Sequence, residues 1–112
     1  MEFWNIKNDP ILDKIKGIIV EETDPDKIIL FGSRARGDHT ESSDYDVLIL
    51  KDELPKNRRI TGKVYVAFSK NKLGVTVDLL AMETADYKKY GNYISFVYKE
   101  IEKDGKVIYA RV

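Results

Sequence analysis

Apolar residues are spaced along the chain in two ways, which predict two kinds of element. After Asp9-Pro10, isoleucine and leucine recur at helical spacing, which predicts a helix over 10–22 that begins at a capping aspartate and a first-turn proline. Short apolar runs bounded by polar residues or glycine predict buried strands instead. These strands are Lys27–Phe31, Asp46–Leu50 and Val75–Leu80.

The second half of the chain carries further helical patterns, over 56–70, over 83–90 and from Gly91 to Asp104. Within 56–70, Val64 to Val66 would also suit a strand, and the helix is the favoured prediction. A short helix is predicted after Gly32-Ser33, and a last, edge strand at Lys106–Ala110. This order of elements predicts an α+β (α/β-like) fold, in which a mixed β-sheet of three to four strands is flanked by helices. The length of 112 residues predicts a single domain over 1–112.

Composition narrows the classes of function. The 19 basic and 19 acidic residues cancel, so the excess positive charge of a general nucleic-acid binder is missing and no stable nucleic-acid binding is expected. The chain has no cysteine and one histidine, which excludes thiolate metal sites and thiol nucleophiles and argues against a histidine-based triad. Its apolar runs are too short to span a bilayer and no secretory signal precedes the first helix, so we predict a cytoplasmic protein.

The stretch from Phe31 to Leu50 holds the candidate chemistry. Gly32-Ser33 ends a strand and opens a short helix, so main-chain N–H groups and a hydroxyl point beyond the strand end, which suits a phosphate. Asp44 and Asp46 begin the next strand two residues apart, so their side chains share a face and repel each other unless a cation lies between them. Such oxygen ligands select Mg²⁺ or Mn²⁺. A plain tight turn and a solvated loop are the alternatives that each motif alone leaves open.

Asp78 strengthens the interpretation of the first two aspartates. It interrupts Val75–Leu80, a strand otherwise fit for burial, and a buried carboxylate needs a partner. If this strand lies beside Asp46–Leu50, and Lys27–Phe31 pairs antiparallel with Asp46–Leu50, the turn and all three carboxylates share one end of the sheet. A salt-bridged or solvent-facing aspartate is the structural alternative.

These motifs resemble those of a known superfamily. Gly32-Ser33, ten further residues and Asp44-Tyr45-Asp46 match the Gly-Ser-(ten residues)-Asp-x-Asp signature of the nucleotidyltransferases related to DNA polymerase beta. The longer stretch GSRARGDHTESSDYDVLIL resembles the minimal nucleotidyltransferase branch, and Asp78 matches the third carboxylate of the family. The resemblance implies that the three aspartates are catalytic and bind Mg²⁺, as two ions, with Mn²⁺ as a substitute. It also implies that Gly32, Ser33 and Arg36 contact the phosphates of ATP, the substrate.

The resemblance also implies a partner. Minimal members resemble the MntA-type antitoxin half of two-protein modules whose toxin is a helical HEPN protein. The implied reaction transfers AMP from ATP to a tyrosine hydroxyl of that toxin, with which the antitoxin assembles, and releases pyrophosphate. Two alternatives stay open: transfer to a small molecule or an RNA end, and a non-catalytic antitoxin that acts by binding alone. For Arg34 and His39, exposed surface positions are the simpler interpretation.

Overall fold

One mixed sheet organises the chain. The computed structural model describes residues 2–3, 9–54, 60–90 and 96–111. The strands are Glu2–Phe3 (β1), Lys27–Phe31 (β2), Tyr45–Lys51 (β3), Val77–Glu83 (β4) and Lys106–Ala110 (β5), in the spatial order β1-β5-β2-β3-β4. β2 is antiparallel to β3 and β5, whereas β3–β4 and β1–β5 are parallel pairs, so the prediction of a mixed sheet flanked by helices is confirmed.

The helices in the described part of the chain are Pro10–Thr23 (α1), Gly32–Arg36 (α2), Ile60–Lys70 (α3), Thr84–Tyr90 (α4) and Phe96–Asp104 (α5). α1 begins as its sequence predicts, because Asp9 Oδ1 accepts a hydrogen bond from the Leu12 N–H at 3.0 Å and Pro10 is the first helical residue. It ends at Asp24, whose φ of 48° breaks the helical path. No helix in the described ranges is long and apolar enough to cross a membrane.

The two faces of the sheet carry separate apolar clusters. α1 and α3 cover one face, where Ile15 and Ile19 are fully buried against strand residues such as Val47. Ile101 of α5 packs on the other face, against Leu48 and other residues of β2 and β3. Each such buried aliphatic side chain stabilises the fold by about 1.5–3 kcal/mol. Because side chains alternate along a strand, Asp46 lies on the face of Leu48, under α5, and its neighbour Tyr45 lies on the opposite face.

The structure corrects some details of the predicted strands. A short N-terminal strand, β1, pairs with β5, so the sheet in the described residues has five strands rather than the three to four predicted. β5 is therefore second in the sheet, and the prediction of an edge strand was wrong. β4 begins two residues later than predicted and runs on to Glu83, because its parallel pairing with β3 continues to Lys51. Residues 56–59 of the predicted third helix, and residues 91–95 of the last one, lie outside the described residues.

Candidate active site

Asp46 lies where three strands meet. Across β2–β3 its partner is Phe31, the last residue of β2, and across β3–β4 its partner is Asp78. Gly32 follows Phe31 directly, and Asp44 lies immediately before the start of β3. The antiparallel β2–β3 pair and the adjacent β4 are therefore both confirmed, and the glycine–serine turn shares one end of the sheet with the aspartates.

Gly32 is packed against the carboxylate of Asp46. Its φ is +74°, a left-handed conformation that side chains disfavour, and a Cβ built on it would lie 2.3 Å from Asp46 Oδ2. A side chain at position 32 would therefore clash with the carboxylate as well as strain the backbone. The signature glycine is required here because the chain must turn while passing within contact distance of an acidic side chain.

The electrostatic surroundings of Asp46 are unfavourable to its charge. Burial, the charges of Asp78 and Asp44 and a side-chain hydrogen bond with Asp78 raise the pKa of Asp46 from 3.8 to about 6, and Glu100 of α5 adds to the effect. Every one of these influences disfavours the ionised form of Asp46. Such a site favours either a proton shared between the two aspartates or a cation from outside the chain.

Asp44 and Asp78 are exposed, and this corrects one step of the sequence argument. Asp78 was expected inside a buried strand, but it is the second residue of β4, at the open end of the sheet. Its link to Asp46 comes from strand register rather than from shared burial. The expectation of burial was wrong because the exposure of a strand end depends on the elements that cover it, and these lie elsewhere in the chain.

The donor set of this end of the sheet fits Mg²⁺. It consists of carboxylate oxygens with solvent access, and Mg²⁺ binds through one or two carboxylates completed by water and phosphate oxygens. Among the described residues, no three acidic or imidazole groups are already gathered closely enough to enclose an ion. Binding through Asp44, Asp46 and Asp78 together would therefore rely on water and phosphate oxygens to complete the shell.

The other predicted ligand residues lie on α2. Ser33 is half-buried and follows Gly32 in the first turn of this helix. Arg36 ends the helix and is exposed; its Nε donates to Asp38 Oδ2 at 3.1 Å, and its Nη1 lies 3.9 Å from Asp104 Oδ2. Because the Asp38 carboxylate is exposed, Arg36 can exchange that contact for another anion at small cost. His39 is exposed in the loop after α2, as the simpler interpretation has it.

Two residues near the site were not identified from the sequence. The charge of Glu100, on α5, raises the pKa of Asp46, although more than fifty positions separate the two residues in the chain. Arg34, interpreted as a surface arginine, contacts the loop that leads to Asp44. No local pattern marks either residue, because each meets its neighbours only after the helices have docked on the sheet.

Comparison with known proteins agrees with this geometry. A profile of the family described as "Polymerase beta, Nucleotidyltransferase" matches residues 13–112. The chain belongs to this family. It is therefore a nucleotidyltransferase, and the resemblance stated from the sequence motifs is confirmed.

Two relatives come from Methanocaldococcus jannaschii. The chain is 36% identical over 84 residues to "Putative protein adenylyltransferase MJ0604", which covers 74% of this chain and 77% of that protein. It is 67% identical to "Putative protein adenylyltransferase MJ0141" over a segment of 30 residues, which spans only 27% of this chain and 30% of the relative. Among solved structures, the fold is similar to one titled "Crystal structure of the toxin-antitoxin with AMP-PNP", with a TM-score of 0.63, 21% identity, and coverage of 88% of this chain and 73% of that chain.

Proposed function

We propose that this nucleotidyltransferase is the antitoxin of a two-protein module and transfers AMP from ATP, with Mg²⁺, to a tyrosine hydroxyl of a partner HEPN toxin in the cytoplasm. The relatives named for protein adenylylation support a protein as the acceptor. The similar fold in a toxin–antitoxin structure with an ATP analogue supports ATP as donor and a toxin as partner.

One observation carries the proposal: Asp46 and Asp78 face each other across β3–β4 while Gly32 packs against Asp46. Uncompensated carboxylates beside a tight turn suit a nucleoside triphosphate that arrives with its cations. In this proposal Asp44, Asp46 and Asp78 would hold two Mg²⁺, or Mn²⁺ in their place. When bound, the metal neutralises phosphate charge and polarises the α-phosphoryl group.

The chain's own residues bind and orient the reactants. Gly32 and Ser33 lie along the phosphates, and the Arg36 guanidinium binds the oxygens that leave with pyrophosphate. Asp78 accepts the proton of the tyrosine hydroxyl. The phenolic oxygen forms a bond to the α-phosphorus, the bond from that phosphorus to the bridging oxygen of the β-phosphate breaks, and pyrophosphate departs with the electron pair.

The open position of the site suits an acceptor on another protein. Asp44 and Asp78 are exposed at the end of the sheet, so a side chain presented by a partner can approach them from solvent. A protein partner that supplies both the hydroxyl and the surface around it would complete the site.

The test incubates the protein with ATP labelled on the α-phosphate and Mg²⁺, with and without a HEPN protein from the same genome. We expect label on a partner tyrosine, lost in a variant with Asp44→Asn and Asp46→Asn. It should be retained in Asp13→Asn, which removes an exposed carboxylate of α1 that pairs with Lys16. Label on RNA or a small molecule instead would contradict the proposed acceptor. Toxin neutralisation that survives the double substitution would contradict a catalytic mechanism.

A further inference from the structure

Arg34 binds the main chain of the loop that leads to Asp44. Its Nε donates to the Ser43 carbonyl oxygen at 3.0 Å, and its Nη2 lies 3.4 Å from the carbonyl oxygen of Thr40 and 3.3 Å from that of Glu41. Its guanidinium carbon also stacks 4.1 Å from the centre of the Tyr45 ring, a cation–π distance. One side chain of α2 thus contacts both residues that flank Asp44 in the sequence.

The residues that Arg34 contacts are themselves anchored. Tyr45 is buried, and its hydroxyl donates to the Asp9 carboxylate at 3.1 Å, at the start of α1. Its N–H donates to the Thr76 carbonyl oxygen at 3.0 Å, just before β4. The Ser43 N–H donates to the Thr40 carbonyl oxygen at 3.1 Å, which closes a turn within the loop. The loop is therefore attached to α1, α2 and the strand that carries Asp78.

The geometry of this attachment leaves the face of the aspartates open. Tyr45 faces α1 and α3, whereas Asp46 faces α5, and alternation along the chain puts Asp44 on the side of Asp46. The charge of Asp44 acts on Asp46, in agreement with that placement. Arg34 and Tyr45 thus hold the main chain from behind, while the carboxylate of Asp44 stays exposed on the other side.

We propose that Arg34 is a positioning residue that fixes the main chain around Asp44, so that the Asp44 carboxylate is preorganised for a divalent cation. The inference rests on the proposed function only in taking Asp44 as a cation ligand. An exposed aspartate on an unattached polar loop would lose conformational freedom on binding an ion, and affinity would fall by that cost. The described contacts of Arg34, with carbonyl oxygens and a ring, distinguish it from Arg36, whose described partners are the carboxylates of Asp38 and Asp104.

An arginine suits this role better than a lysine. Its planar guanidinium donates in several directions at once while it stacks on an aromatic ring, whereas an ammonium group is a compact point charge. Arg34→Lys should therefore keep the positive charge beside Tyr45 but lose part of the attachment to Thr40, Glu41 and Ser43. A graded effect is expected, with Arg34→Lys between the native protein and Arg34→Gln.

The first measurement is Mn²⁺ affinity of the isolated protein without nucleotide or partner, by calorimetry or by the electron paramagnetic resonance signal of free Mn²⁺. We expect Arg34→Gln to weaken Mn²⁺ binding about tenfold, as the loss of a group that orients a metal ligand commonly does, and Arg34→Lys to weaken it less. Lys63→Gln is the charge-matched control, because Lys63 of α3 pairs with Glu22 of α1, on the face of the sheet away from Asp46, and it should leave Mn²⁺ affinity unchanged.

The second measurement is amide hydrogen exchange of the same metal-free variants, which also shows whether each variant is folded. Exchange should rise at Ser43 and Tyr45 in Arg34→Gln, while the amides of β2 and the core of α1 stay protected. Unchanged Mn²⁺ affinity in a folded Arg34→Gln, or a native protein that binds no Mn²⁺ at all, would overturn the proposal.

Kinetics separate this inference from the proposed function. If the protein transfers AMP, Arg34→Gln should raise the Mg²⁺ concentration needed for half-maximal rate and recover most of kcat at saturating Mg²⁺. A raised KM for ATP at saturating Mg²⁺, with unchanged Mn²⁺ affinity, would assign Arg34 to the nucleotide and refute the positioning role. A protein that shows no AMP transfer but loses Mn²⁺ affinity in Arg34→Gln would refute the proposed function and support the positioning role.

Discussion

The two ends of the sheet each bring two aspartates together, and they treat the carboxylates differently. At the far end from Gly32, Asp26 and Asp52 share a side-chain hydrogen bond, Thr84 Oγ1 donates to Asp26 at 2.8 Å, and Arg111 Nη1 lies 3.6 Å from Asp26. The hydrogen bond from Asp52, then that from Thr84, lowers the pKa of Asp26, with help from Arg111 and Lys51.

At the Gly32 end the leading influences on Asp46 act in the opposite direction. Burial and the charges of Asp78, Asp44 and Glu100 all raise its pKa. At the far end Thr84, Arg111 and Lys51 favour the charge of Asp26, whereas the hydrogen bond with Asp26, and then the charge of Asp26, raise the pKa of Asp52. Donors and cations of the protein thus compensate the charge of one member of this pair, Asp26. A pair whose protein neighbours disfavour its charge costs stability, and that cost is explained if the site serves a ligand that brings the cations.

Removing one charge at each end of the sheet tests whether the two ends differ in kind. Asp46→Asn should lower AMP transfer about a thousandfold, because the metal's several kcal/mol of charge stabilisation is lost. Asp52→Asn, at the far end, should leave transfer unchanged. Mg²⁺ should raise the melting temperature of the native protein and of Asp52→Asn but not of Asp46→Asn. Equal losses of transfer in the two variants would show that the ends do not differ in kind.

Gly32→Ala tests the close approach of the turn to Asp46. We expect it to lower the free energy of unfolding by about 2–3 kcal/mol, from left-handed strain plus the contact with the carboxylate, as measured by urea titration. Gly37→Ala is the matched control: its φ is +87°, but a Cβ there would meet nothing within 4 Å. It should cost only the strain, about 1–2 kcal/mol. Equal losses would mean that the carboxylate moves aside freely.

The sequence predicts this fold well where periodicity and end signals agree. α1 matches its predicted helix to within a residue, β2 and β5 match in full, and the order of elements from α1 onward is as predicted. β1 was missed because a two-residue strand has no periodicity to detect. The predicted edge position of β5 was wrong for the same reason, because its neighbour β1 could not be predicted from the sequence.

The sequence was enough to predict which residues form the candidate site, but not their exposure or the neighbours that surround them. The signature located Gly32, Asp44, Asp46 and Asp78, and strand register brought the last two together. The exposure of Asp78 and the approach of Glu100 depend on how α5 docks over the sheet, which involves residues distant in the chain. The role of Arg34 depends on the direction of one flexible side chain, which no spacing rule fixes.

The raised pKa of Asp46 makes the cost of its charge measurable as a dependence of stability on pH. Its pKa is about 6 in the folded protein and 3.8 ordinarily, so between these values the folded state binds more protons than the unfolded chain. The stabilisation that the folded state gains by binding this proton more tightly is complete below about pH 4 and is lost as pH rises through about 6. The shift corresponds to about 3 kcal/mol, which solvent at the open site reduces to about 1–2 kcal/mol.

Urea unfolding of the metal-free native protein and of Asp46→Asn, at pH 4.5 and at pH 7.5, isolates this contribution. Asp46→Asn should be as stable as the native protein or more stable at the higher pH, and its advantage should shrink at the lower pH. A native protein that is more stable than Asp46→Asn by several kcal/mol at pH 7.5 would make the carboxylate structural.

The smallest expected effect lies at the compensated end. Thr84→Val keeps the shape of the side chain but removes the hydroxyl that donates to Asp26 at 2.8 Å. Oδ2 of the charged Asp26 then loses this hydrogen-bond donor. Because Arg111 remains beside Asp26, the loss should be about 1 kcal/mol in urea unfolding, with AMP transfer and Mn²⁺ affinity unchanged. The expected loss of stability in Thr84→Val contrasts with Asp46→Asn, which should be as stable as the native protein or more stable at neutral pH. A Thr84→Val variant that gains stability would mean that the Asp26–Asp52 pair is as poorly compensated as the aspartates beside Gly32.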